Sequence, residues 1–270
     1  MPIRVNLPPT FRDRLAQADR TLVGMWVSSG NALNAEICAG SGLDWLLIDG
    51  EHSHNTLELI LAQLQAVAAY PATPLVRVPE CNTALIKQYL DIGAQNLLVP
   101  MVNTVADAEK AVAAVRYPPH GVRGVGSALA RASRWNRVDD YLAAANGAVS
   151  LYVQIETAEA VQNAREIAAV DGVDGVFIGP SDLAASMGHL GEQGHPEVVD
   201  AVETTIRAMT ELGVSVGVNA FAPDAARRYI ELGVTFILVA ADVSLLARAS
   251  EALADTWLPS AGDAAERASY

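Results

Sequence analysis

A closed (β/α)8 barrel, the TIM-barrel class of α/β fold, is predicted by three features of the sequence. Eight short β-rich runs recur along the chain, helix-patterned segments separate them, and several helix ends carry a Gly that leads into the next strand. The 270 residues suit one such barrel, about 250 residues being usual, so a single barrel domain is expected over 1–270.

The Pro-rich start at 7–20 predicts one extra helix, over 8–20, before the barrel, and "TLVGMWVS" (21–28) follows as the first strand. "WLLID" (45–49) is the second and precedes a helical segment at 55–69; "PLVRV" (74–78) is the third and precedes one at 82–92. "NLLVPMV" (96–102) supplies the fourth strand, with a helix over 104–116. "SLYVQIE" (150–156) and 157–169, then "GVFIGP" (175–180) and 196–212, continue the alternation. "VSVGVN" (214–219), a helix over 223–232 and "FILVAA" (236–241) complete eight units. "DIGA" at 91–94 and "ELGV" at 211–214 and 231–234 repeat one device: a helix end, a Gly cap and the next strand. A doubly wound open sheet is the structural rival, but "VSSGNALNAE" after the first strand does not match the phosphate-binding pattern GxGxxG.

One connection is unusually long, from Asn103 to Val149, and holds "RYPPHGVRGVGSALARASRW" after its helix. Its Gly and Pro density predicts an ordered excursion over a site or an interface, with a plain surface loop as the other reading. "GVRGVG" lacks the Lys and Ser or Thr of a P-loop.

Composition narrows the function classes. Hydrophobic residues at 51% and charged ones at 18% specify a substantial core. A net charge of −13, from 31 acids and 18 bases, argues against a nucleic-acid or anionic-membrane surface. An anionic small substrate stays compatible, because one Arg or a metal reverses the field locally. Cys38 and Cys81 have no metal-like spacing and read as free thiols. "MPIRVNLPPTFRDRLAQ" has no signal-peptide core and no long apolar span occurs, so a cytoplasmic protein is expected.

Polar residues at the C-terminal ends of barrel strands carry the chemistry in this architecture. Asp49, Glu51 and His52 follow strand two, Arg77 lies within the last residues of strand three, Gln154 and Glu156 close strand five, and Ser181 and Asp182 follow strand six. Gln154 and Glu156 are two apart and share a face of their strand. An ionised Glu156 in a barrel mouth needs a cation or a donor. With Asp182 it offers two hard ligands for Mg²⁺ or Mn²⁺; salt bridges or helix capping are the competing reading. Ser181 and Asp182 also open a helix, where backbone N–H groups suit a carboxylate and Ser181 itself suits a cap. Arg77 is either a structural ion pair or an oxyanion clamp. His52 is placed to act as a base near neutral pH, whereas His54 faces solvent at the next helix start. His120, His189 and His195 read as loop residues without partners, and Arg123, Arg131, Arg134 and Arg137 as interface or solvated surface.

Together "DWLLIDGEH", "LLVPMV", "RYPPHGVRGVGSALARASRWN", "VQIET" and "VDGVFIGPSDL", within about residues 10–255, resemble the HpcH/HpaI aldolases, a family of metal-dependent class II pyruvate aldolases. The resemblance implies that His52 is the catalytic base, that Arg77 stabilises the enolate, and that Glu156 and Asp182 bind a divalent metal. Mg²⁺ or Mn²⁺ is expected there, with Co²⁺ or Zn²⁺ as substitutes. It also implies that Gln154, the Ser181 backbone and Asp182 contact the pyruvate part of the substrate. Asp91 in "YLDIGAQ" matches an acid that raises the basicity of the histidine. Because Asp91 precedes strand four, at the bottom of its own barrel, it is expected to reach the histidine of a neighbouring subunit.

The implied reaction is reversible cleavage of a 4-hydroxy-2-oxo acid to pyruvate and an aldehyde through a metal-held pyruvate enolate, in aromatic or sugar-acid catabolism. The implied assembly is a homo-oligomer, a hexamer, with an exchanged C-terminal helix at 244–257 and a tail after about 258. Lys87 and Lys110, the only lysines, fall in helical segments, in keeping with no Schiff base. "GVNAFAP" places Asn219 and Phe221 at the aldehyde end, with Trp26 beside them, and Asp49 and Glu51 are supporting acids. An oxaloacetate decarboxylase or a CoA-thioester lyase is the alternative enzyme, and a non-catalytic oxo-acid binding protein the alternative class.

Overall fold

The computed structural model describes residues 3–258, and in it the last strand pairs with the first, which decides for the barrel over the open sheet. The strands are β1 (Leu22–Val27), β2 (Trp45–Asp49), β3 (Thr73–Arg77), β4 (Asn96–Val99), β5 (Ser150–Ile155), β6 (Gly175–Ile178), β7 (Ser215–Asn219) and β8 (Phe236–Ala241). All neighbours are parallel and run in chain order. The helices of the first half are α1 (Phe11–Gln17), α2 (Ala32–Ala39), α3 (Leu57–Val67), α4 (Thr83–Asp91), α5 (Val105–Val115) and α6 (Tyr141–Ala144). Those of the second are α7 (Ala158–Gln162), α8 (Ala164–Ala168), α9 (Pro180–Ser186), α10 (Pro196–Leu212), α11 (Pro223–Glu231) and α12 (Asp242–Trp257).

Local chemistry explains where the elements depart from expectation. The first helix spans 11–17, not 8–20, because Thr10 and Asp13 form a capping box that starts it after the prolines. β4 stops at Val99 and not at 102, since Pro100 has no N–H to continue the ladder and Met101 turns left-handed at φ 54. The helix expected over 157–169 is two short ones that meet at Asn163, whose backbone N–H keeps its bond to the Glu159 carbonyl while its side-chain amide donates to the Asn103 carbonyl at 2.8 Å. The exchanged segment expected at 244–257 is α12, starting two residues earlier, and the tail after about 258 lies outside the described residues.

Two cores hold the barrel. Inside it, Trp45, Leu47, Leu75, Leu98, Tyr152 and Phe236 pack on one another. Phe11 of α1 fills the bottom, 5.1 Å from the ring of Trp45 and 5.4 Å from that of Tyr152. Outside it, Val, Ile, Leu and Ala from the other strand face, such as Val76, Val153 and Ile155, pack against the helices. Strand alternation thus sends Tyr152, Gln154 and then Glu156 inward while Val153 and Ile155 face outward.

The long connection lies at the bottom of the barrel, where its residues Tyr117, Ala132 and Tyr141 form a small core with Leu7. Arg131 donates to the Ile92 carbonyl and Arg123 pairs with Asp91 at 3.3 Å, so the segment covers the end opposite its own mouth. Arg123 is buried on the ring of Tyr117, which corrects its reading as interface or solvated surface. α12 buries only Asp242, whose carboxylate accepts from the Ser28 and Ser29 amides; Leu245, Leu246, Leu253 and Trp257 are exposed. Among the described residues no helix is long and apolar enough to cross a membrane. Cys38 and Cys81 are free thiols.

Candidate active site

Register places Asp49 of β2 directly beside Arg77 of β3 at the C-terminal rim. Arg77 is 5% exposed; its Nε donates to Asp49 Oδ1 at 2.8 Å, and its guanidinium lies 4.3 Å from the ring centroid of Trp26 on β1. Its Nη1 is 2.8 Å from Glu51 Oε2, yet that oxygen receives no hydrogen bond: the pair is close but out of line. Asp49 therefore clamps the arginine, which answers what this acid does. The loop after β2 is tied to the same residue, since Ser53 and Asn55 both donate to the Asp49 carbonyl and the Glu51 amide to its carboxylate. His52 stands on this loop, exposed, with Glu51 at 4.0 Å; His54 is exposed as well.

Across the mouth, β5 delivers Gln154 and Glu156, both 2% exposed. Glu156 Oε1 accepts from the Met101 amide at 2.7 Å, and Gln154 Nε2 donates to Glu156 Oε2. Met101 is one of the few non-glycine residues with positive φ, and that strained turn puts its N–H in front of the carboxylate. Gly179 is required beside them, because a Cβ there would stand 2.8 Å from both Gln154 Nε2 and Glu156 Oε2. Burial pushes the Glu156 carboxyl up to about 7; the Met101 amide opposes this, while repulsion from Asp182 and Glu51 adds to it. Burial also raises Glu51, Arg77 pulls against it, and Asp49 and Asp182 push the same way as burial.

The site thus sets four carboxylates, Asp49, Glu51, Glu156 and Asp182, against the single buried Arg77. Gln154 Oε1 and Glu51 Oε2 are buried and accept no hydrogen bond. Carboxylates in excess of positive charge, with Gln154 Oε1 left unpartnered beside them, fit a hard divalent cation.

On the β6 and β7 side, Asn219 accepts from Trp26 Nε1 at 2.9 Å, which joins the two residues expected at the aldehyde end to Arg77. A cleft of about 490 Å³ opens beside them, lined by Pro180, Ser181, Gln193, Asn219, Phe221 and Tyr229. Ser181 does not cap α9: Gly179 is the cap residue, no side chain satisfies that end, and the Ser181 hydroxyl donates to Gln193 at 3.0 Å. His189 and His195, read as partnerless, stack on each other with centroids 3.6 Å apart, and His195 caps α10. Asp91 sits at the barrel bottom with Arg123, in a shallow cleft with Leu129 and Trp135, so it does not meet the His52 of its own chain. A wider cleft of about 600 Å³, at that same end, holds Arg20 and Asp44 already paired to each other at 2.7 Å.

Three residues here escaped the sequence reading: Met101 and Gly179, which act through backbone geometry, and Gln193, which lies in an unpatterned loop. A positive-φ Met leaves no mark in the sequence; the Gly before Pro180 is visible there only as a turn residue.

A family description, HpcH/HpaI aldolase/citrate lyase, matches residues 22–249. A hydroxypyruvate/pyruvate aldolase of Deinococcus radiodurans is 52% identical over 269 residues, 98% of this chain and 97% of the relative. A 4-hydroxy-2-oxo-heptane-1,7-dioate aldolase of Salmonella dublin is 53% identical over 244 residues, 90% of this chain and 92% of the relative. The crystal structure of an HpcH/HpaI aldolase/citrate lyase family protein from Burkholderia cenocepacia J2315 has 43% identity and a TM-score of 0.87, covering 91% of this chain and 98% of that one. With nearly the whole barrel matched in sequence and in fold, the chain belongs to the HpcH/HpaI aldolase/citrate lyase family.

Proposed function

We propose that this aldolase cleaves 4-hydroxy-2-oxo acids reversibly to pyruvate and an aldehyde, with Glu156 and Asp182 holding a divalent cation, Mg²⁺ or Mn²⁺. The observation that carries the reading is the excess of carboxylates at the barrel mouth, Asp49 and Glu156 buried, Glu51 half-buried and Asp182 at the exposed rim, around the one arginine Arg77. When bound, such a cation supplies Lewis-acid polarisation of the 2-oxo group.

The protein's own groups divide the remaining work. Arg77, fixed by Asp49 and by the face of Trp26, directs its guanidinium to the oxygen that becomes negative as the enolate develops. Gln154 and the open first turn at Ser181 and Asp182 hold the pyruvate end. His52 takes the proton from the C4 hydroxyl as the C3–C4 bond breaks, so that the electron pair of that bond passes to the enolate and the aldehyde leaves. A base so positioned supplies ~10²–10⁴-fold. The leaving aldehyde faces the cleft lined by Asn219 and Phe221. Lys87 and Lys110 lie on α4 and α5, outside the barrel wall, so neither serves as a Schiff-base nucleophile at the mouth.

Assembly belongs to the same reading. The exposed apolar side of α12 and the exposed Leu129 and Trp135 beside Asp91 suit contacts between copies, a homohexamer in which Asp91 serves the His52 of a neighbour. The test is a pyruvate-release assay on a panel of 4-hydroxy-2-oxo acids, with exhaustive EDTA treatment and add-back of Mg²⁺, Mn²⁺, Co²⁺ or Zn²⁺. Activity is expected to vanish and return with the metal; turnover untouched by metal removal rejects the mechanism, and pyruvate without aldehyde indicates decarboxylation.

A further inference from the structure

The loop of residues 188–195, between α9 and α10, carries a second group of ligating side chains that the aldol reaction does not use. His189, Glu192 and His195 each offer a ligand atom, and these atoms lie within 4.8 Å of one another. We infer that this loop is a binding site for a borderline transition-metal dication, with Zn²⁺ as the reference ion, separate from the oxygen site at the barrel mouth.

The donor chemistry selects the ion. Two imidazoles and one carboxylate favour Zn²⁺, Ni²⁺ or Cu²⁺ over Mg²⁺, whereas the mouth offers oxygen alone. His189 Nε2 lies 3.2 Å from Glu197 Oε2, and in the tautomer that donates to this carboxylate Nδ1 keeps a free lone pair for the metal. A histidine held by a carboxylate through its other nitrogen is the usual outer arrangement of protein metal sites. His195 stacks on His189 with ring centroids 3.6 Å apart, which keeps the two imidazoles side by side. Its Nδ1 accepts from the Glu197 amide at 3.3 Å, the long end of the range, so coordination exchanges one weak cap bond for a metal bond.

The loop also has room to close. Tetrahedral bonds of about 2.0–2.1 Å bring neighbouring ligand atoms to about 3.3 Å, less than the present span. Gly188 and Gly191 are left-handed at φ 87 and φ 81, and no atom lies within 4 Å of where a Cβ would stand at either, so both turns have glycine's backbone freedom and space on that side. Water supplies the fourth ligand. The consequence reaches the substrate cleft through Gln193, which lies within the loop, accepts from Ser181 and lines the cleft: a bound ion stiffens that wall without entering the reaction.

Full-length protein stripped of metal is titrated with Zn²⁺ by calorimetry near neutral pH, beside two double variants. Glu156→Gln with Asp182→Asn removes the mouth carboxylates; His189→Ala with His195→Asn removes the imidazoles while Asn keeps the α10 cap. The mouth variant is expected to retain one Zn²⁺ per chain and, loaded with Co²⁺, to show the visible absorption of imidazole coordination. The loop variant is expected to lose that equivalent, by roughly tenfold or more in affinity, with an unchanged circular dichroism spectrum. No Zn²⁺ bound by the mouth variant, or an equivalent that survives in a chain carrying all four substitutions, overturns the inference. Since the mouth variant is read for binding alone, failure here is distinct from failure of the aldolase reading.

Discussion

Arg77 gathers most of the mouth around itself: Asp49 fixes its Nε, Trp26 covers its face, and Glu51 crowds its end. A lysine there keeps the charge but loses the planar fork and the stacking. Arg77→Lys is therefore expected to lower kcat by about 10²–10³-fold while the barrel stays folded, measured by steady-state pyruvate release. Glu156 yields a pH prediction. Its carboxyl is raised from 4.5 to about 7, so between those values the folded, metal-free chain holds a proton that the unfolded chain gives up. Stability then falls as pH rises through that window, by about 3 kcal/mol in all, and the loss is complete above the folded value. Melting of EDTA-treated protein at about pH 5 and about pH 8 is expected to show this drop, reduced in Glu156→Gln and by saturating Mn²⁺; an equal drop in the variant would exclude Glu156 as its source. At this scale the sequence was informative about placement, since residue type and strand-end position put Glu156, Asp182, Arg77 and His52 at the mouth where the fold has them. It was silent on Met101, because any residue can present an amide and only the fold turns this one left-handed.

Strands were the most legible elements, since each is a short apolar run ended by a polar or Gly-rich turn; β2 and β8 fall where the runs at 45–49 and 236–241 place them. Helix patterning was weaker evidence of continuity: Ala-rich 157–169 reads as one helix, yet it breaks at Asn163, whose side chain is tied to the Asn103 carbonyl far away in sequence. The long connection was legible as ordered but not as to which end of the barrel it covers, because that depends on Arg131 and Arg123 finding Ile92 and Asp91 far away in sequence. α12 presents a different case, an amphipathic helix whose apolar side has nothing to cover in its own chain beyond its first turn. Replacing Leu245 and Leu246 with Glu is expected to convert the proposed homohexamer to smaller species in sedimentation velocity without changing the helical content; an unchanged sedimentation coefficient would remove α12 from the proposed interface.

For the whole molecule, the repetition of βα units specified a parallel sheet with both faces covered, the missing GxGxxG favoured closure over a doubly wound sheet, and the pairing of β8 with β1 decides it. What the repetition does not encode is how the bottom is sealed, and this falls to Phe11, fully buried among Trp45, Tyr152 and Phe236. Phe11→Ala leaves a cavity in a rigid aromatic layer and is expected to cost about 3–5 kcal/mol. A barrel of this size should then melt roughly 6 °C lower or more by calorimetry. The plug also governs traffic. With the floor shut, both fragments of a cleaved substrate share one doorway, and under the proposed function the fragment held at the buried Gln154 and Glu156 departs behind the one facing Phe221. Release is thereby ordered, aldehyde first and pyruvate second, so pyruvate should inhibit cleavage competitively and the aldehyde non-competitively.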